Sequence, residues 1–145
     1  MEDSQSKQAI QPRNTKGIWS QVSIELTNAC NFGCEFCPSD FIERSKANMS
    51  RELWEKIIDE LSEKEMANGV FFHLLGEPLI HKDIFDAIRY ANDKGLKVSI
   101  YTNGALLTDE RSTLLLESLK RGRIVLSLQN VVPQHFGARV RGKIT

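Results

Sequence analysis

The sequence has few cysteines, few prolines and no long apolar run. Three of its 145 residues are cysteine and four are proline. No apolar stretch approaches the roughly 20 residues that span a bilayer, and the polar start MEDSQSKQ lacks the hydrophobic region of a signal peptide. Nineteen basic residues balance nineteen acidic ones, so no overall positive charge is available to attract nucleic acid or anionic lipid. We therefore expect a cytoplasmic protein with no membrane or nucleic-acid partner.

The composition is otherwise that of an ordinary globular domain. Hydrophobic residues make up 41% of the chain and charged residues 26%, which is enough for one domain with a modest core. Residues 1–17 are polar, contain Pro12 and Gly17, and have no apolar periodicity, so they predict a flexible leader. Residues 18–145 are expected to form the domain itself.

Strand-like and helix-like patterns alternate along the domain. The two-residue period of a half-buried strand, or a short apolar run, occurs at residues 21–26, 70–75, 98–101 and 124–128. Between them lie three amphipathic segments with helical spacing. The first begins at the N-cap candidate Ser50 and ends near Asn68-Gly69, the second ends at Gly95, and the third runs from Thr108 to Gly122. This alternation predicts an α/β fold with a parallel sheet of about four βα units.

The number of units limits the architecture. A complete eight-unit barrel takes about 250 residues, so about four units cannot close one, and the last strand would leave an open edge. The sequence thus predicts either a small open sheet or a core that is apparently truncated at its C-terminus. In both cases the working residues belong in the loops that leave the carboxyl ends of the strands. These loops start at Thr27, Gly76, Thr102 and Gln129.

All three cysteines, Cys30, Cys34 and Cys37, lie within eight residues of the first loop. A disulfide scaffold would spread an even number along the chain, so this cluster indicates a metal or redox site in a reducing compartment. Soft thiolate ligands select iron–sulfur clusters or zinc, and a cluster with only three protein thiolates has one iron open to a small-molecule ligand. A zinc knot normally takes four ligands at paired spacing, and none of the three histidines has that spacing.

The C-x3-C-x2-C loop after the first strand resembles the motif of radical S-adenosylmethionine (radical SAM) enzymes. The resemblance implies that Cys30, Cys34 and Cys37 hold a 4Fe-4S cluster whose fourth iron is chelated by the amino and carboxylate groups of SAM. It also implies that the backbone of Phe36, the aromatic residue before the last cysteine, helps to hold the adenine.

Three later segments strengthen the resemblance. Leu75-Gly76-Glu77-Pro78 is similar to the GGEP segment of the family, with Leu75 in place of the first glycine. In the family, backbone groups and the acid of this segment engage the methionine amino group, which implies that role for Gly76, Glu77 and Pro78. Thr102-Asn103-Gly104 resembles the family's TNG turn, and Ser127 matches a polar position that contacts the ribose or methionine end of SAM.

The resemblance covers about residues 18–145 and implies the N-terminal portion of a partial (β/α)6 TIM-like barrel. It implies an enzyme in which a reduced cluster passes one electron to SAM, giving methionine and a 5'-deoxyadenosyl radical that takes hydrogen from a substrate. An electron donor such as a flavodoxin or ferredoxin is then required. The segments CNFGCEFC and LLGEPLIHKD look most like family members with a C-terminal extension for auxiliary clusters, which favours a peptide or protein substrate.

Two other interpretations stay open at this point. A four-strand sheet would shield a reactive radical poorly, so one alternative is a cluster-binding fragment or subunit without turnover of its own. The other is a zinc-stabilised α/β binding module. His73 lies within an apolar strand and is expected to be a hydrogen-bonded core histidine rather than a base.

Overall fold

Four parallel strands alternate with three helices in a computed structural model that describes residues 19–34 and 36–128. In chain order these elements are β1 (Val22–Ser23), α1 (Arg51–Glu63), β2 (Gly69–Phe72), α2 (Ile84–Asp93), β3 (Lys97–Thr102), α3 (Asp109–Ser118) and β4 (Gly122–Leu126). The strands lie in the order β1-β2-β3-β4, and each neighbouring pair is parallel. The predicted α/β fold is confirmed. The predicted leader and the loop at Gln129 lie outside the described residues.

The strand register aligns fully buried apolar side chains of neighbouring strands on one face of the sheet. Val70 pairs with Val98 and Phe72 pairs with Ile100, and all four side chains are fully buried. They pack against apolar side chains from all three helices, which include Trp54, Ile58, Ile84, Ile88 and Leu115. The core therefore lies between the helices and one face of the sheet.

Side-chain caps fix where two of the helices begin. The Ser50 hydroxyl accepts a hydrogen bond from the backbone N–H of Leu53, and the Thr108 hydroxyl accepts one from Arg111. Each satisfies a backbone donor that has no partner inside its helix, as the sequence predicted. Gly95 follows α2 with a φ of +86°, a conformation that glycine adopts without a steric penalty. None of the helices in the described part of the chain is long and apolar enough to cross a membrane.

The first strand and the first helix are shorter than the sequence predicts. After Ile24 the backbone leaves the β2 ladder, and the carbonyl of Leu26 instead accepts a hydrogen bond from the N–H of Met49. Helix α1 ends at Glu63 rather than near Asn68-Gly69. The residues beyond it pair with Trp19, whose N–H donates to the carbonyl of Met66. The end of β1 and the end of α1 are therefore both set by hydrogen bonds to segments that are distant in sequence. Local periodicity does not reveal such contacts.

Other predicted boundaries and burial patterns also need correction. Strand β2 ends at Phe72, three residues earlier than predicted. Gly122 begins β4 instead of closing α3, because it pairs with Val98 of β3. A Cβ at this position would lie 1.7 Å from the carbonyl oxygen of Val98. Leu53 and Leu116 belong to the apolar residues of the amphipathic segments, but their side chains are 47% and 67% exposed. Each lies just outside the arc of its helix that contacts the sheet.

Candidate functional site

The loops that leave β1 and β2 are in direct contact at the carboxyl edge of the sheet. The N–H of Glu77 donates to the carbonyl of Ala29 at 2.8 Å. A Cβ on Gly76 would lie only 2.0 Å from the backbone carbonyl oxygen of Thr27. Only glycine can occupy position 76 without moving one of the two backbones. The close approach thus brings the predicted Gly-Glu-Pro segment onto the start of the cysteine loop.

The cysteine loop is held by a buried aromatic side chain and a tight turn. Phe32 is 2% exposed, and its N–H donates to the Sγ atom of Cys30 at 3.4 Å. The N–H of Cys37 donates to the carbonyl of Cys34 at 2.9 Å, which closes a turn between the second and third cysteines. All three thiols are half-buried and none is in a disulfide. The loop therefore presents three soft donors from a short stretch of backbone.

The thiols do not form a ready-made site for one metal ion. Among residues 19–34 and 36–128, no three Cys, His, Asp or Glu side chains are arranged to hold such an ion. Burial raises the pKa of the Cys30 thiol, and the nearby negative charge of Glu77 adds to that effect. The N–H of Phe32 opposes both by stabilising the thiolate. Metal binding at Cys30 would have to displace its proton.

The carboxylate of Glu77 joins two of the predicted motifs. Glu77 is 3% exposed, and its Oε1 atom accepts hydrogen bonds from the Thr102 hydroxyl at 2.7 Å and from the N–H of Leu79 at 3.1 Å. Its Oε2 atom accepts one from the N–H of Asn103 at 2.7 Å. The acid of the Gly-Glu-Pro segment therefore faces the protein interior and fixes the Thr102-Asn103-Gly104 turn.

A pair of side-chain amides links that turn to the cysteine loop. The Nδ2 atom of Asn103 donates to Oδ1 of Asn31 at 2.9 Å and lies 4.0 Å from Sγ of Cys30. The Nδ2 atom of Asn31 is buried and has no hydrogen-bond partner in the described part of the structure. Sequence reasoning placed Asn103 in the turn that resembles the family's TNG but gave its side chain no role, and it did not single out Asn31. The one signal for Asn31 was its position directly after Cys30.

The remaining predicted residues lie around this centre. Phe36 is 66% exposed on the cysteine loop, whereas Pro78 is buried and begins a short 3-10 helix, Pro78–Ile80. Ser127 is half-buried, and its N–H donates to the carbonyl of Thr102 at 2.8 Å, which places it beside the β3 loop. The described loops thus bring the predicted site residues to one edge of the sheet.

The prediction for His73 is wrong. Its side chain is exposed and stacks on the ring of Tyr101, with ring centroids 4.9 Å apart. Position 73 lies just past the end of β2. Because side chains alternate between the two faces of a strand, His73 lies on the same face as Phe71, opposite the helices. Desolvation by the neighbouring groups lowers the pKa of His73, and the charges of Glu77 and Glu25 partly oppose this shift.

The sequence profile of the radical SAM superfamily matches residues 24–145. The chain belongs to the radical SAM superfamily. Its four-stranded sheet corresponds to part of the TIM-barrel-like fold of solved family members, which confirms the predicted fold class. The family implies SAM and an iron–sulfur cluster as the cofactors.

Similar proteins include enzymes with different substrates. The chain is 31% identical over 126 residues to the S-adenosyl-L-methionine-dependent 2-deoxy-scyllo-inosamine dehydrogenase of Niallia circulans, covering 84% of this chain and 47% of that protein. The structure of BtrN in complex with AdoMet and 2-DOIA matches with a TM-score of 0.68 and 26% identity, over 85% of this chain and 51% of BtrN. Streptococcus suis SuiB bound to the precursor peptide SuiA matches with a TM-score of 0.67 and 26% identity, over 83% and 27% of the two chains. The chain therefore spans about half or less of the length of these proteins.

The described residues fit the cofactors that the family implies. Three half-buried thiols on one loop are the donor set of a sulfur-ligated cluster. The backbone of Gly76 packs directly against the carbonyl of Thr27, which holds the Gly-Glu-Pro segment beside the cysteine loop. The buried Nδ2 atom of Asn31 is a hydrogen-bond donor that lacks an acceptor among the described groups. A buried donor of this kind is expected to have a partner when the site is complete.

Proposed function

We propose that this chain forms the cluster- and SAM-binding part of a radical SAM enzyme. Cys30, Cys34 and Cys37 would hold a 4Fe-4S cluster. When bound, the reduced cluster supplies the electron that cleaves SAM to methionine and a 5'-deoxyadenosyl radical, which takes hydrogen from the substrate. The observation that carries the proposal is the contact between the three-thiol loop and the Gly76 loop at the carboxyl edge of the parallel sheet.

The chain's own residues would bind and orient SAM. The segment Gly76, Glu77 and Pro78 would face the methionine end, and its tight packing on Thr27 and Ala29 supports a fixed position beside the cysteines. The Glu77 carboxylate would help by holding the shape of this segment, because it already accepts three hydrogen bonds from the protein.

Two further residues complete the proposed SAM site. The backbone of Phe36 would contact the adenine, and Ser127 would contact the ribose or methionine end. Both assignments come from the family motif, and the position of Ser127 next to the β3 loop supports the second. Conversion of Ser127 to alanine is expected to weaken SAM binding without loss of the cluster.

The substrate and the electron donor are proposed from the relatives and the family. SuiB is bound to a precursor peptide, whereas the Niallia circulans relative is a dehydrogenase of 2-deoxy-scyllo-inosamine. The segments around Cys34 and Glu77 favour the peptide-modifying type, so we propose a peptide or protein substrate. A flavodoxin or ferredoxin in the cytoplasm would supply the electron.

The proposal is tested by anaerobic reconstitution with iron and sulfide, followed by electron paramagnetic resonance of the reduced protein with and without SAM. We expect a 4Fe-4S signal that changes when SAM is added. Single alanine variants of Cys30, Cys34 and Cys37 should lose the cluster, because two thiolates cannot hold it in place. Leu116→Ala, on the exposed side of α3, is the matched control and should retain it.

Each of the other outcomes selects a different interpretation. A cluster signal that does not respond to SAM would favour a cluster-binding subunit without turnover. Zinc with no iron or sulfide in anaerobically purified protein would favour the zinc-stabilised module. Unchanged iron content in any of the three cysteine variants would contradict the ligand assignment.

A further inference from the structure

The orientation of the Asn103 side chain is fixed on all sides. Its backbone N–H donates to Oε2 of Glu77, and its Oδ1 atom accepts a hydrogen bond from the N–H of Ala105 at 2.9 Å. The amide therefore has its oxygen directed at Ala105 and its Nδ2 directed at Asn31 and Cys30. A flipped amide would place a donor against the Ala105 N–H and lose that bond.

The orientation of Asn31 follows from that of Asn103. Because Nδ2 of Asn103 is a donor, the atom of Asn31 that faces it at 2.9 Å must be the oxygen. The Nδ2 atom of Asn31 is then the buried atom without a partner. A buried donor that stays unpaired carries the full desolvation penalty of its polar group. An acceptor bound at the cysteine loop would remove this cost.

We propose that the Asn31–Asn103 amide pair donates hydrogen bonds to the sulfur atoms at the Cys30 corner of the bound cluster and makes the cluster easier to reduce. This inference rests on the proposed function. The Nδ2 atom of Asn103 already lies 4.0 Å from Sγ of Cys30, at the outer limit of a hydrogen bond to sulfur. Asn31 follows Cys30 directly and offers the second donor.

The effect on reduction follows from electrostatics. Reduction adds one negative charge, which spreads over the iron and sulfur atoms of the cluster. An N–H group directed at sulfur places its positive end toward that charge, so it stabilises the reduced form more than the oxidised form. The N–H of Phe32 acts on the same sulfur from the backbone, and side-chain substitutions leave it in place. The two asparagines are thus positioning and tuning residues rather than ligands.

The experiment is a redox titration of the reconstituted protein without SAM, followed by electron paramagnetic resonance. In Asn103→Ala and Asn31→Ala, we expect full iron content but a ratio of reduced to oxidised cluster that is about tenfold lower at a fixed potential. Tenfold corresponds to a shift of about 59 mV to more negative potential for one electron. Asn68→Ala is the matched control, because Asn68 lies at the opposite, amino-terminal end of β2 and donates to the carbonyl of Trp19. It should leave the ratio unchanged.

A second variant separates tuning from support of the loop. Asn103→Asp keeps the acceptor for the Ala105 N–H, removes the Nδ2 donor and adds a negative charge near Cys30. It should therefore load the cluster and be harder to reduce than Asn103→Ala, which loses the donor without adding a charge. If Asn103→Ala and Asn103→Asp both lose iron, the amide is a structural support and the proposal is overturned. Fully loaded variants with an unchanged potential would also overturn it.

The response to SAM shows whether the two amides donate to cluster sulfur or to SAM. If the potential stays unchanged while the response to added SAM is lost, the amides donate to SAM rather than to cluster sulfur, and the inference is wrong. If the unaltered protein takes up no cluster at all, the proposed function itself fails. The two failures are therefore separate.

Discussion

Replacement of Glu77 by alanine is the most direct test of the way in which the site is assembled. The change removes a buried carboxylate that accepts hydrogen bonds from the N–H groups of Leu79 and Asn103 and from the Thr102 hydroxyl. The hydroxyl can rotate toward another acceptor, but the two backbone donors are held by the turn. A buried donor left without an acceptor costs about 1 to 3 kcal/mol.

Two such donors give a loss of about 2 to 6 kcal/mol in the free energy of unfolding. Relief of the desolvation cost of the buried carboxylate offsets part of this loss, so we expect a net decrease of about 3 kcal/mol. Glu77→Gln keeps one acceptor oxygen and should lose about half as much. Denaturant unfolding followed by tryptophan fluorescence measures both variants.

The matched control for this measurement is Glu117→Ala on the exposed surface of α3. Its free energy of unfolding should stay within about 0.5 kcal/mol of the unaltered protein. If Glu77→Ala is no more destabilising than Glu117→Ala, the carboxylate does not hold the two loops together and the reasoning fails. In the reconstituted protein, Glu77→Ala should weaken SAM binding while retaining the cluster, because the cysteine ligands are unchanged.

Two further predictions use other features of the site. Gly76→Ala forces a Cβ to 2.0 Å from the Thr27 carbonyl oxygen, so it should lower the free energy of unfolding by about 3 kcal/mol. Gly95→Ala, at φ +86° in open space, should lower it by only about 1 kcal/mol. The reverse order in denaturant unfolding would contradict the close approach of Gly76 and Thr27. His73 has a lowered pKa in the folded state, so the unfolded state binds more protons below the ordinary value of 6.5. The free energy of unfolding should therefore fall as the pH decreases from 6.5, and His73→Gln should reduce this pH dependence. An NMR titration that gives His73 a pKa at or above 6.5 in the folded protein would contradict the prediction.

Local sequence patterns predicted the elements well but not all of their ends. The caps at Ser50 and Thr108 act within three residues, so composition and spacing were sufficient to locate the starts of α1 and α3. The end of β1 depends instead on a hydrogen bond between Leu26 and Met49. No local pattern encodes that bond, because its two partners are separated by the whole cysteine loop.

The error at His73 has a similar origin. An apolar run of strand length does not indicate which of its residues face the core. The register of β2 against β3 places Phe72 on the helix side, which leaves the alternate positions on the open face. His73 continues that open face and stacks on Tyr101 instead of entering the core.

The sequence by itself determined the α/β class, the order of the elements and the three thiols on one loop, because these depend on periodicity and on residues close together in the chain. The tertiary structure alone decided which loops meet. Asn103 and Asn31 are 72 residues apart, and Glu77 reaches Asn103 across 26 residues. These contacts exist because the parallel register brings the carboxyl ends of the strands to one edge of the sheet. That register is set by the burial of side chains along the whole helix-facing side of the sheet.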